Sequence, residues 1–263
     1  MILAVIMVLI VIGSVLFHFL SPWWFTPLAS NWGYIDDTTV LTFGITGVVF
    51  SAVVLFVAYC LWKFRHREGR KAAYEPENKR LESILTALTA GGVIAMLTPG
   101  LFVWAQFVDV PDEAANVEVI GQQWLWSYRL PGADGQLGAA DNRLIGIDNT
   151  LGINPDDPAS QDDLVIEGGE LLLPVDRPVR FLLRSVDVLH DFYVPEFRAK
   201  MDMIPGSVTY FWVTPTKTGT YEILCAELCG TGHSYMRGMV TVVTQEEYDE
   251  WLTTQVTFAD LTS

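Results

Sequence analysis

The sequence holds 263 residues, 51% of them hydrophobic, with 31 acidic against 16 basic side chains and a formal net charge of −15. So apolar a composition is unusual for a soluble domain and places part of the chain in a membrane. So acidic a balance excludes nucleic acid as a partner, because phosphate binding rests on Lys and Arg.

Three apolar stretches come first in the chain: Ile2 to Leu20, Val40 to Trp62 and Leu81 to Phe107. Each is close to the roughly 20 residues that a helix needs to cross a bilayer. The first has the position of a secretory signal, but no Lys or Arg precedes its apolar run and no small-residue cleavage site follows it. It is therefore expected as a retained transmembrane helix, with Pro22, Trp23, Trp24 and Phe25 forming an aromatic belt at the interface. Residues 21–39 carry Asp36 and Asp37 and no Lys or Arg, whereas residues 63–80 carry Lys63, Arg65, Arg67, Arg70, Lys71, Lys79 and Arg80. The positive-inside rule puts that basic loop in the cytoplasm. The expected organisation is a lipid-embedded, multi-pass part over residues 1–108 and an exported part over 109–263, with a bacterial inner membrane as the natural setting and the exported part in the periplasm, although a mitochondrial membrane has the same polarity. Glu82, near the start of the third stretch, suits the positive end of a helix dipole.

The exported part carries 25 of the 31 acids and 9 of the 16 bases. Such a surface attracts a basic soluble protein through complementary fields, although it also serves plain solubility. Short β-rich runs recur between turn residues: VEVIGQQWLWSYRL, DDLVIEG, GELLLPVDRPVRFLLRSV, SVTYFWVTP, GTYEILC and GMVTVVT. They predict an all-β sandwich or Greek-key barrel. QEEYDEWLTT predicts one helix near the end, and Gly132 to Asp163, rich in Gly, Asp, Asn and Pro, reads as a long insertion without a legible element.

The segment LCAELCGTGHSYMRGM places Cys225, Cys229, His233 and Met236 within twelve residues. Two thiolates, an imidazole and a thioether form a soft donor set that favours copper. The C-x3-C-x3-H-x2-M spacing matches neither zinc ribbons nor thioredoxin-like or ferredoxin sites. Gly230 and Gly232 let the loop fold back on itself. Among the four histidines, His18 falls in the first helix and His66 in the basic loop, which leaves His190, expected where a strand runs into a loop, as the second imidazole. A disulfide, a zinc site and a mononuclear blue-copper site remain as other readings; a blue site needs one Cys, and a second bridging thiolate implies a second copper.

The run VLHDFYVPEFRAKMDMIPG followed by CAELCGTGHSYM resembles the copper-bearing domain of cytochrome c oxidase subunit II, with likeness from about Val40 to Trp251. The resemblance implies a membrane-anchored all-β protein, a cupredoxin-like Greek-key β-barrel behind transmembrane helices. It implies that Cys225 and Cys229 bridge two coppers and that His190 and His233 each bind one. It further implies that Met236 binds one copper, and that Glu227 gives its backbone carbonyl to copper and its side chain to a magnesium or manganese ion beside the large subunit. By the same likeness Trp124 in GQQWLWSYR is where electrons enter from cytochrome c, Asp202 belongs to the donor-docking surface, and Glu82 stands at the mouth of a proton path. The chain departs from the family at Gln122, commonly His, at Leu125, commonly Tyr, and at Arg129, commonly an acid, which points to a non-standard docking surface. Leu85 and Thr89 replace a Trp and Pro near Glu82, and three spans replace the usual two.

The function so implied is electron transfer from a soluble or membrane-bound cytochrome c to haem in a catalytic subunit I, within an oxidase that reduces oxygen to water and pumps protons. A copper-containing nitric oxide reductase is the alternative within the superfamily, and a membrane-anchored copper carrier is the alternative of another class.

Overall fold

The computed structural model describes residues 1–21, 26–71, 74 and 76–262. The chain divides into two compact units, Met1–Phe25 with Tyr34–Trp104, and Thr26–Gly33 with Ala105–Ser263. Pro22 to Phe25, the expected interface belt, lie outside the described residues.

The first unit is built from three helices, α1 (Ile2–Leu20), α2 (Gly33–Lys63) and α3 (Lys79–Val108), the first residue of α2 and the last turn of α3 from Ala105 belonging to the second unit. All three are long and apolar enough to cross a bilayer. Their large apolar side chains stay exposed on most faces, Phe56 and Phe102 among them, as lipid contact requires. Small side chains mark where helices meet protein instead: Ala4 and Val11 of α1 and Ala58 of α2 are buried. Helix α2 starts at Gly33, well before the apolar stretch. Its polar first turns escape an apolarity criterion, yet Asp36 sits at the positive end of the dipole and Thr38 and Thr39 bond back to the Ile35 carbonyl. At the start of α3 the Asn78 side chain accepts from the Leu81 N–H at 3.0 Å, a cap that the sequence reading did not identify.

The second unit is built from two sheets. In chain order its strands are β1 (Ala115–Gln122), β2 (Leu125–Leu130), β3 (Leu164–Glu167), β4 (Leu171–Pro174), β5 (Val179–Ser185), β6 (His190–Val194), β7 (Ala199–Met203), β8 (Val208–Val213), β9 (Gly219–Cys225), β10 (Arg237–Val243) and β11 (Val256–Thr257). One sheet runs β11-β3-β2-β1-β5-β8 and the other β4-β10-β9-β6-β7. The pairs β1–β5 and β4–β10 are parallel and the rest antiparallel. The expected run VEVIGQQWLWSYRL is thus two strands around a turn at Gln123 and Trp124. Helices α4 (Gln245–Leu252) and α5 (Phe258–Thr262) follow the last long strand, and α4 opens with a capping box between Thr244 and Glu247.

Aromatic rings fill the space between the sheets. Phe192, Phe181 and Phe211 pack with centroids 5.6 and 5.0 Å apart, and Phe107 stacks on Phe211. Residues 26–33 are strapped to this unit: Ser30 Oγ donates to the Phe197 carbonyl at 2.7 Å, and the Trp32 indole N–H donates to the Trp212 carbonyl at 2.8 Å.

Strand β1 is buried on both faces, from Val117 through Gly121. Val117 and Val119 face the other sheet. Glu118 and Ile120 face the opposite way and are covered by the insertion 132–163, whose Leu151 and Ile153 join Ile120, Val165 and Phe258 in a second apolar cluster. Charge pairing holds that cover down. The Arg129 guanidinium donates to Glu118 at 2.8 Å, to Asp163 at 2.9 Å and to the Gly138 carbonyl at 2.8 Å. Arg184 donates to Glu118 at 3.0 Å, to Asn142 at 2.9 Å and to the Leu151 carbonyl at 2.7 Å. Arg129 is only 2% exposed, so it cannot alter a docking surface as its departure from the family pattern implied. Removing one member of a buried ion cluster strands its partners and costs about 3–5 kcal/mol. Arg129→Met in the full-length chain should therefore lower the unfolding free energy by that order, read as a lower midpoint in chemical unfolding; an unchanged midpoint would show that the cluster does not hold the insertion.

Candidate metal centre

Strand β9 ends at Cys225 and β10 begins one residue after Met236, and the two are antiparallel neighbours. The loop between them therefore starts and finishes at one place, closed by a Cys225 N–H bond to the Met236 carbonyl at 3.3 Å. Within it, His233–Tyr235 form a single 3-10 turn, and Gly230 takes φ +117°, a conformation that a side chain would strain. Strand β6 pairs with β9 through Phe192 and Cys225. His190 is thus the first residue of β6, not the tail of the preceding strand, and it arrives beside the loop through strand pairing.

The side chains converge. Cys225 Sγ and Cys229 Sγ lie 3.8 Å apart, far beyond a disulfide bond of about 2.05 Å, and both are free thiols. His190 Nδ1 is 3.9 Å from Cys225 Sγ, and His233 Nδ1 is 3.6 Å from Cys229 Sγ. Met236 Sδ lies 3.8 Å from Cys229 Sγ, and the Glu227 carbonyl 3.2 Å from Cys225 Sγ. His190, Cys225 and Cys229 alone form a group able to hold a metal ion. His190, Cys229 and Met236 are buried, while Cys225 and His233 are half-buried.

The two thiols differ electrically. Burial pushes both up, but at Cys225 the contacts with the His190 and His233 rings and with neighbouring backbone groups outweigh it and hold the thiol below its ordinary range. At Cys229 burial and the adjacent Cys225 sulfur hold it above that range. A bound cation would take the place of the thiol protons.

Two residues that the sequence reading missed support this cluster. Asp187 Oδ1 lies 2.8 Å from His190 Nε2, which makes Nε2 the protonated nitrogen and leaves the Nδ1 lone pair facing the thiols. Gln123 donates from Nε2 to the Cys229 carbonyl at 2.8 Å. The signal for both was proximity to the ligands, three residues before His190 and one before Trp124, but neither forms a motif. Trp124 sits on the loop as well: its indole N–H donates to the same Cys229 carbonyl at 3.2 Å, and a Cβ at Gly232 would fall 2.2 Å from its ring. Trp124 is 39% exposed and so spans from solvent to the thiol loop.

The other expected site residues lie elsewhere. Asp202 is on β7, half-buried, and pairs in register with Asp191 of β6. Lys200 donates to Asp191 at 2.9 Å, and Asp202 and Glu227 are close enough to help raise its pKa. A cation of the chain itself already faces these carboxylates, and nothing here supports magnesium or manganese at Glu227. Glu82 is exposed in the first turn of α3.

Residues 115–243 match the family described as cytochrome c oxidase subunit II, periplasmic domain. The chain is 62% identical to the alternative cytochrome c oxidase subunit 2 of Bradyrhizobium diazoefficiens over 261 residues, 99% of this chain and 94% of the relative. It is 29% identical to the cytochrome c oxidase subunit 2 of Cereibacter sphaeroides, over 86% of this chain and 77% of the relative. A crystal structure of the periplasmic domain of subunit II of cytochrome oxidase from Bradyrhizobium japonicum aligns with 29% identity and a TM-score of 0.41, over 56% of this chain and 96% of that one. These relatives are oxidase subunits and lend no support to a nitric oxide reductase. The apolar helices make the protein membrane-anchored, its strand unit is cupredoxin-like, and the chain belongs to the cytochrome c oxidase subunit II family, whose members are subunits of haem-copper oxidoreductases.

Proposed function

We propose that this chain holds a dinuclear copper centre and, one electron at a time, relays charge from a cytochrome c to haem in the catalytic subunit of an oxidase that reduces oxygen and pumps protons. The observation that carries the reading is the pair of free thiols 3.8 Å apart with an imidazole Nδ1 beside each. The donor set fits the group. Two sulfurs can bridge, two imidazoles can terminate, and the Met236 thioether and Glu227 carbonyl complete six donors, more than a tetrahedral zinc or a mononuclear blue site uses. Bound there, a copper pair supplies one-electron redox chemistry shared over two metals.

The protein's part is placement. Asp187 fixes the tautomer of His190, the β9–β10 loop brings both thiols to one point, and burial of His190, Cys229 and Met236 excludes water. Such burial also favours a retained centre over the freely exchanging one of a copper carrier. Trp124 offers a ring half in solvent and in contact with the loop, which suits it to receive electrons, and Asp202 lies half-buried on β7, the strand paired with β6. The basic loop 63–80 is cytoplasmic by charge, so the helices span a bacterial inner membrane and the strand unit stands in the periplasm.

Metal analysis of the purified complex should give two coppers per chain beyond the copper of the catalytic haem-copper subunit, with a thiolate–copper spectrum unlike a blue site; one copper beyond that subunit's own, with a blue-site spectrum, sinks the proposal. Trp124→Ala should slow electron acceptance from cytochrome c at least tenfold with both coppers retained, and unchanged kinetics would remove that ring from the path. Residues 109–263 carry a balance of −16. Raising ionic strength from about 0.01 to 0.15 M shortens the screening length from about 30 to 8 Å, so association with a basic donor should fall about tenfold or more in stopped-flow measurements.

A further inference from the structure

The thiol cluster is assembled from two separate pieces of chain. One is the turn after β5, which ends in His190; the other is the β9–β10 loop, which carries Cys225, Cys229, His233 and Met236. The turn between β1 and β2 lies against both. The Gln123 main-chain N–H donates to Asp187 Oδ2 at 2.6 Å. The other oxygen of that carboxylate holds His190 Nε2 at 2.8 Å and the Val188 N–H at 2.6 Å. From the same residue, the side-chain amide donates to the Cys229 carbonyl at 2.8 Å. That carbonyl can only accept, so the amide nitrogen must face it.

The fit leaves little slack. A Cβ at Gly230 would stand 3.0 Å from Gln123 Nε2, so the glycine allows the amide to lie against the loop backbone. Trp124 supplies a second donor to the Cys229 carbonyl, at 3.2 Å, longer than the Gln123 contact. Gln123 is therefore the one residue of this turn that bonds toward both the imidazole half and the thiol half.

We propose that Gln123 is a positioning residue that clamps the His190 turn to the Cys229 loop and so fixes the imidazole–thiolate separation of the metal centre. The proposal rests on the copper reading given above. Without its amide bond the loop keeps its strand ends but gains freedom at Cys229, the sulfur next to both His233 and Met236. A donor set free to relax follows each change of metal charge, whereas a clamped one does not, and outer contacts of this kind commonly tune affinity and potential.

The test uses the assembled complex with Gln123→Leu, which keeps bulk and loses the donor, Gln123→Glu, which sets an acceptor against the carbonyl, and Gln123→Lys, which restores a donor. Copper loss to a chelator, the copper spin spectrum and the reduction potential are measured for each. Loss of one hydrogen bond predicts about tenfold faster copper loss in the Leu variant, faster still in Glu, and near wild-type loss in Lys, with spectrum and potential displaced in Leu and Glu. The proposal is overturned by wild-type values in both Leu and Glu, and also by equal displacement in Leu, Glu and Lys, which would make the side chain a spacer. If the Leu variant does not accumulate, the ordering of Glu and Lys against wild type decides alone. Fewer than two coppers per chain beyond the catalytic subunit's own in the wild-type complex would instead defeat the copper reading, a result separable from any difference among variants.

Discussion

The pairing of β6 with β9 is the contact on which this molecule turns. Phe192 opposite Cys225 sets the register, and the Ala226 N–H bond to the Asp191 carbonyl at 3.1 Å extends it by one step into the loop. Because side chains alternate along a strand, a slip of one residue would send His190 to the opposite face. The slip is resisted from inside the barrel. Phe192 lies on the face that packs against Phe181 and Phe211, and Trp126 packs edge-on to both Phe192 and the His190 ring. The core that stabilises the fold is thus the same core that aims the imidazole.

Six donor atoms of this kind are awkward to bury in a protein without metal. Two thiols at van der Waals separation repel when both are ionised, which is why one is held low and its neighbour high. The chain meets the problem by keeping the cluster at the strand ends, where backbone carbonyls and Trp124 line it, and by leaving Cys225 and His233 half-buried. The opposite face of the same region handles its carboxylates differently: Asp191, fully buried, is matched by Lys200.

How far the sequence led depended on whether chemistry was local. Cys225, Cys229, His233 and Met236 stand within one loop, so their spacing alone announced a shared site. His190 could be added by elimination, although its place at the head of β6 could not, because LHDFYV carries no alternation strong enough to mark a strand. Asp187 and Gln123 were illegible for a different reason. Their roles depend on which ring and which carbonyl they meet, and that is decided by a turn laid across a loop about a hundred residues away. Arg129 shows the converse: the sequence marked it as unusual but could not show that the insertion buries it. The insertion itself hid because polar, glycine-rich residues conceal the two apolar ones, Leu151 and Ile153, that anchor it.

That insertion is tied to the metal end of the fold by a short chain of contacts. Arg184, held by Glu118, grips the Asn142 side chain, and Asn142 in turn donates from Nδ2 to the Ser185 carbonyl at 3.0 Å. The Ser185 hydroxyl donates to the Val188 carbonyl and accepts the Asp187 N–H at 3.3 Å, closing the turn that presents Asp187 to His190. A buried ion cluster is a poor source of net stability, since desolvation offsets most of its attraction. Its value here is geometric. It permits one arrangement of the insertion on β1 and β5, and through Asn142 and Ser185 that arrangement fixes where β5 ends, how tightly the next turn closes, and so where the imidazole stands relative to the thiols.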